Sequence, residues 1–137
     1  WNNTTPTSTV FSLSTDTNVN SSSGNYVFYA FHSVDGYQKV GSYTGDGNAN
    51  KEITGLGFSP RFVMIKNAGD IGSWIIHSKP PTTTNPSTTH LRANSSAIED
   101  TGANERIDFD SDGFTLVGTG QNINHSDGDT YIYLAIK

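Results

Sequence analysis

Apolar side chains recur mostly at every second position in this chain, the spacing of a strand with one face buried, and rarely at helical spacing. Tyr26 to Phe31 is an almost continuous aromatic and aliphatic run between Ser-Gly-Asn and Ser-Val-Asp-Gly, which reads as a central strand buried on both faces. Tyr37 to Tyr43 alternates, and Gly45-Asp46-Gly47-Asn48 then forces a turn. Lys51–Thr54 is a short strand. Phe62–Lys66 and Ser73–His77 are strongly β runs on either side of Asn67–Gly72 and predict a hairpin. His90–Ala93 and Arg106–Phe109 are weaker strands, and Ser111-Asp112-Gly113 feeds a strand at Phe114–Val117. Tyr131–Ile136 closes the chain as a second central strand, expected beside Tyr26–Phe31. Eight to ten strands, with turns at about 8–12-residue intervals, predict an all-β protein: a two-layer antiparallel β-sandwich, jelly-roll or lectin-like, with little or no helix. Ala97–Thr101 is the one candidate for a short helix.

The closing pattern occurs twice. Phe11-Ser12-Leu13 runs through Asn18-Val19-Asn20 and Ser23-Gly24 into Tyr26–Phe31; Phe114-Thr115-Leu116 runs through Asn122-Ile123-Asn124 and Asp127-Gly128 into Tyr131–Ile136. A recurrence at about a hundred residues is longer than solenoid or propeller repeats and indicates tandem domains that each end in the same hairpin. Residues 1–36 are therefore expected to be the closing hairpin of an upstream unit, packed onto one full sandwich unit at 37–137. Trp1 at the first position agrees with a chain that is a piece of a longer modular protein.

Composition narrows the function. Aromatics at 11% in a chain of 137 residues supply a core without disulfide or metal staples, and the absence of cysteine removes thiolate chemistry and Cys-type metal sites. The net charge is −5 and the eight basic residues are scattered, which argues against nucleic acid. No run of about 18 apolar residues predicts membrane insertion.

Candidate chemistry is sparse. There is no Gly-x-Ser-x-Gly elbow, and His32, His77, His90 and His125 stand in separate segments. Glu52, Glu99, Asp100 and Glu105 could pair as in a glycoside hydrolase, although their Gly/Asn/Thr-rich surroundings predict solvated loop acids. Asp108-x-Asp110-x-Asp112-Gly113 has a calcium-loop spacing, but Thr119 stands where an EF-hand needs Glu. The competing reading puts Asp108 and Asp110 on the outward face of a strand with Ile107 and Phe109 inward, so no metal or other cofactor is expected, calcium being the one candidate. Trp74, Tyr37 and Tyr43 are the candidate sugar-stacking rings. Asn2, Asn3, Asn20, Asn94 and Asn124 match the glycosylation pattern, as chance allows in a chain this rich in Asn, Ser and Thr.

Several blocks together resemble a domain of unknown function that recurs in tandem in phage tail-fibre and other virion structural proteins. They are Trp1-Asn2, Pro6–Leu13, Tyr26–Phe31, Val34–Tyr37, Gly41–Gly47, Gly57–Lys66, Trp74–Ile76, Leu91–Asn94, Ile107–Phe109, Ser111–Phe114 and Tyr131–Ala135. Gly57-Phe58-Ser59-Pro60-Arg61-Phe62-Val63-Met64-Ile65-Lys66 is the most specific of them. The chain departs from that pattern at Ala30, where Cys often stands, and at Ser78-Lys79-Pro80, where Asp-Ser-x-Arg is common. The resemblance implies a non-enzymatic structural module of a virion appendage, a tail fibre or surface protein, active in assembly and host attachment. Its location would be the virion or extracellular space. Its partners would be copies of itself as a homo-oligomer, other virion proteins, or a host-surface glycan. Two alternatives remain: a carbohydrate-binding module, and a subunit of a polymerised extracellular surface filament. Any partner- or glycan-binding residues are expected among Trp74, His77, Asn85, His90 and Arg92. The loops Lys79–Thr89, Asn67–Gly72 and Asn94–Glu105 are expected to gather around them at one end of the sandwich.

Overall fold

The computed structural model describes residues 4–79 and 85–137. It divides into two compact units, Trp1–Ala30 and Phe31–Lys137. The division falls ahead of residue 36 because residues 32–34 are bound to the strand that follows. Gln38 Nε2 donates to His32 O (2.7 Å), Val40 N donates to Ser33 Oγ (3.1 Å), and Val34 bridges Gln38.

The larger unit carries eight strands among the described residues: β1 Gln38–Thr44, β2 Lys51–Thr54, β3 Phe62–Asn67, β4 Ile75–Ser78, β5 Leu91–Arg92, β6 Ile107–Asp110, β7 Gly113–Leu116 and β8 Thr130–Ile136. Five form one antiparallel sheet in the order β1-β8-β3-β4-β5, and three form a second in the order β2-β7-β6. The inward positions of the two sheets make one core: Val63, Ile65, Ile75, Tyr131, Tyr133 and Ala135 from the first, and Ile53, Ile107, Phe109, Phe114 and Leu116 from the second. Phe114 and Tyr133 meet across it edge to face, 5.4 Å between ring centroids. This is the two-layer sandwich that the period-two pattern predicts.

β8 is central, pairing Tyr133 with Gly41 on β1 and with Ile65 on β3. The β3–β4 hairpin forms as expected, with Val63 opposite His77. β5 shrinks to two residues because its chain leaves the ladder to bind the 100–105 loop instead, through the bridge His90↔Asp100. No helix forms at Ala97–Thr101. Among the described residues the helical pieces are one four-residue turn, α1 Thr17–Asn20, and a 3-10 turn at Ala103–Glu105.

Two expectations are corrected. Tyr26–Phe31 is not a central strand and forms no strand at all. Its residues join no ladder, and Val27, Phe28 and Tyr29 are 82%, 68% and 83% exposed. An apolar run signals that burial is wanted without saying against what, and in this chain β8 holds the place between β1 and β3. The second correction concerns the loops. β3, β4 and β5 are consecutive antiparallel neighbours, so the Asn67–Gly72 loop and the stretch after Ser78 leave β4 at opposite ends. They cannot form one end of the sandwich together. Pro80, Pro81 and Thr82–Thr84 of that stretch, and Trp1–Asn3, lie outside the described residues.

Candidate functional site

The densest group of ionisable side chains lies where β4, the segment 87–92 and the 100–105 loop meet. Alternation along β4 turns Ile75 and His77 inward, and the bridges Ser87↔Ile107 and His90↔Asp100 bring the next two segments against it. His77 and His90 are buried, their rings 5.7 Å apart and tilted. His77 Nδ1 lies 3.2 Å from Ser87 Oγ. Because that hydroxyl donates to Thr89 O, the imidazole donates to it through Nδ1–H. His77 Nε2 has no partner. Burial first, and the neighbouring His90 second, pull the His77 pKa from 6.5 to about 4, so this ring is neutral at pH 7.

His90 Nε2 stands 2.7 Å from Glu105 Oε2, within ion-pair range but without hydrogen-bond alignment. Arg92 completes the group: its Nη2 donates to Asp100 Oδ2 at 2.7 Å and to Glu105 Oε2 at 3.4 Å. The guanidinium hydrogen bond holds the Asp100 carboxyl below its ordinary range. Asn122 Nδ2 donates to the other Glu105 oxygen. Glu105 is thus buried and shared by three partners, not a solvated loop acid.

Serine, imidazole and carboxylate do come together here, but their geometry is not that of a nucleophile. Ser87 is buried and its proton is directed at a carbonyl, away from the imidazole that would have to accept it. What the cluster does is tie three segments at the β5 edge, where only two residues of ladder are available.

Of the five expected binding residues, His77, His90 and Arg92 meet in this cluster, while Trp74 and Asn85 are bonded elsewhere. Trp74 is half-buried, with its backbone N–H bound to Asn94 Oδ1 (3.0 Å). Asn85 reads the backbone of β6, accepting from Phe109 N and donating to Phe109 O, each at 3.1 Å. His77 and His90 offer no ring to solvent, and Arg92 is engaged by two carboxylates. Tyr43 stacks on Tyr131 at 5.1 Å and donates to Ile123 O, so it belongs to the packing rather than to a sugar platform. Tyr37 is exposed.

The three aspartates with calcium spacing serve the strands. Ile107 and Phe109 are buried while Asp108 and Asp110 are not. Asp110 accepts from Thr115 Oγ1 (2.8 Å), and Asp112 accepts from Gly57 N (2.6 Å) and Gly55 N (3.2 Å), bracing the β2–β3 connection. Burial, with Asp110 nearby, pushes the Asp108 carboxyl up. Among the described residues no three His, Asp or Glu side chains are arranged to hold a metal ion. Asn124 is fully buried, its Nδ2 bound to Asn48 O (2.9 Å), which removes it as a glycosylation acceptor in the folded protein. No described helix is long and apolar enough to cross a membrane.

A family model built on a domain of unknown function, DUF7483, matches residues 1–137. The chain belongs to the DUF7483 family. The match spans both units, so the exposed segment before residue 31 is as much part of the DUF7483 pattern as the sandwich itself. No curated protein and no solved structure matches.

Proposed function

We propose that this DUF7483 chain is a non-enzymatic structural module of a phage virion appendage, a tail fibre or surface protein, contributing to assembly and host attachment. The observation that carries the reading is the doubled closing element: one copy seals the sandwich, and a second precedes it with its apolar face uncovered. Domains strung together in this way build long appendages, and the resemblance of the Gly57–Lys66 block to virion proteins supplies the setting. The buried ionisable cluster supports the same reading, since its members are spent on one another and on the backbone. Its partners would be copies of itself in a homo-oligomer, other virion proteins, or a glycan of the host surface. Contact would fall on loops, where Ile71 and Ile98 stand 99% and 90% exposed.

The test is where the protein resides. Mass spectrometry of purified particles should find it at stoichiometric levels, and labelling with an antibody to the 37–137 sandwich should decorate an appendage. A protein absent from particles and free in infected cells, encoded among metabolic genes, would overturn the proposal.

A further inference from the structure

The two copies of the closing element agree in atoms as well as letters. In the sandwich, β6 and β7 are joined by a two-residue turn closed by the pair Asp110↔Gly113; ahead of Phe11, Thr7 N donates to Val10 O (2.8 Å) across the equivalent turn. Phe114 meets Tyr133 edge to face at 5.4 Å, and Phe11 meets Phe28 edge to face at 5.1 Å. Asn124 N and Ile123 N both return to Gly120 O, as Asn20 N and Val19 N return to Asp16 O. The Tyr131 hydroxyl donates to Gln121 O (2.8 Å) and accepts from His125 N (3.0 Å). The Tyr26 hydroxyl donates to Thr17 O (2.7 Å) and accepts from Ser21 N (2.8 Å).

The copies differ in burial. Tyr131 and Ile123 are fully buried, whereas Tyr26 and Val19 are 46% and 38% exposed. The N-terminal element is therefore folded as a closing hairpin while lacking the sheets that such a hairpin closes.

We infer that residues 11–31 complete a second domain of this same fold. In that domain Tyr26–Phe31 occupies the β8 place between the strands equivalent to β1 and β3. By register, Phe28 lies opposite the counterparts of Gly41 and Ile65, and Tyr26 opposite those of Tyr43 and Asn67. The recipient is a sister domain, not a second copy of this sandwich. In this sandwich the β8 place is filled from within. A Cβ at Gly113 would run into Ile53 O, and one at Gly120 would come within 2.7 Å of Asn104 O, yet Val10 and Asp16 stand at those places in the N-terminal copy. A tandem neighbour with more room at those two points fits. The inference shares the tandem arrangement with the proposed function but not the virion setting, so a protein absent from virions would overturn that function and leave this inference standing.

The test extends the chain. Residues 32–113, which keep Gly113, are fused directly ahead of residues 11–137, once with the native sequence and once with Asp16→Gly to restore the second glycine. Amide hydrogen exchange is followed at Tyr26–Phe31. Protection there at least about a hundred-fold above that in the 137-residue chain, with a second cooperative unfolding transition, is expected for the Asp16→Gly form. Adding Tyr26→Asp and Phe28→Asp should abolish both effects and leave Tyr131–Ile136 protected. If Tyr26–Phe31 stays unprotected in both fusions, the inference is wrong.

Discussion

Phe114 meets the edge of Tyr133 inside a core that admits no solvent to it, while Phe11 meets the edge of Phe28 with both rings partly open to water. Around each pair the chain does the same things: a two-residue turn before the first ring, a helical turn after it, and a tyrosine hydroxyl that bonds back to the start of the loop. Local chemistry alone is thus enough to shape this element. What local chemistry does not supply is the free energy of burial, which needs the facing strands β1, β2 and β3. The comparison separates what a hairpin encodes from what it borrows.

Substituting the first ring of each copy should give the largest contrast. Phe114→Ala removes a fully buried ring and should cost roughly 3–5 kcal/mol by denaturant unfolding. Phe11→Ala, at a ring 39% exposed, should leave the midpoint of the sandwich within about 0.5 kcal/mol of the parent. Equal losses would erase the distinction between the copies.

Acid should divide the two regions next. Residues 11–31 contain no histidine, whereas the sandwich buries His77 as a neutral ring with its pKa pulled from 6.5 to about 4. Unfolding restores the higher value, so the unfolded state binds more protons between those two pH values. The contribution of His77 is complete above about pH 6.5 and is lost as pH falls toward 4, by up to about 3 kcal/mol. His77→Gln should flatten stability against pH in that window; an unchanged slope would mean that other groups carry it.

A smaller contrast lies in the tyrosine hydroxyls. Tyr131→Phe strips a partner from Gln121 O, His125 N and Asn67 Nδ2 in a buried setting and should cost about 1–3 kcal/mol. Tyr26→Phe frees groups that water can reach, and the melting temperature of the sandwich should not move measurably.

The sheets were legible because alternation marks faces. Val63 and Ile65 go inward and Met64 does not, Ile107 and Phe109 go inward and the aspartates between them do not, and β2 falls at Lys51–Thr54 as the pattern predicts. Tyr26–Phe31 misled for the same reason, since its letters are those of a β8 strand and its surroundings are not. His77, His90 and Arg92 were expected in one neighbourhood as partner-binding residues, but the groups that bury and engage them were hidden, because the pattern does not connect Ser87, Glu105 and Asn122 to them. Nothing about Glu105 alone announces His90, Arg92 and Asn122, and His77 reads like any strand histidine until Ser87 and His90 are folded over it.

Hydrogen exchange of the 137-residue chain at dilution, followed residue by residue, tests the central claim most directly. Tyr131–Ile136 lies between two ladders and should exchange only through global unfolding, while Tyr26–Phe31, without a backbone hydrogen bond among the described residues, should exchange at close to the free-chain rate. Strong protection of Tyr26–Phe31 in the monomer would contradict the account, because it would mean that the first copy has found its burial within this chain.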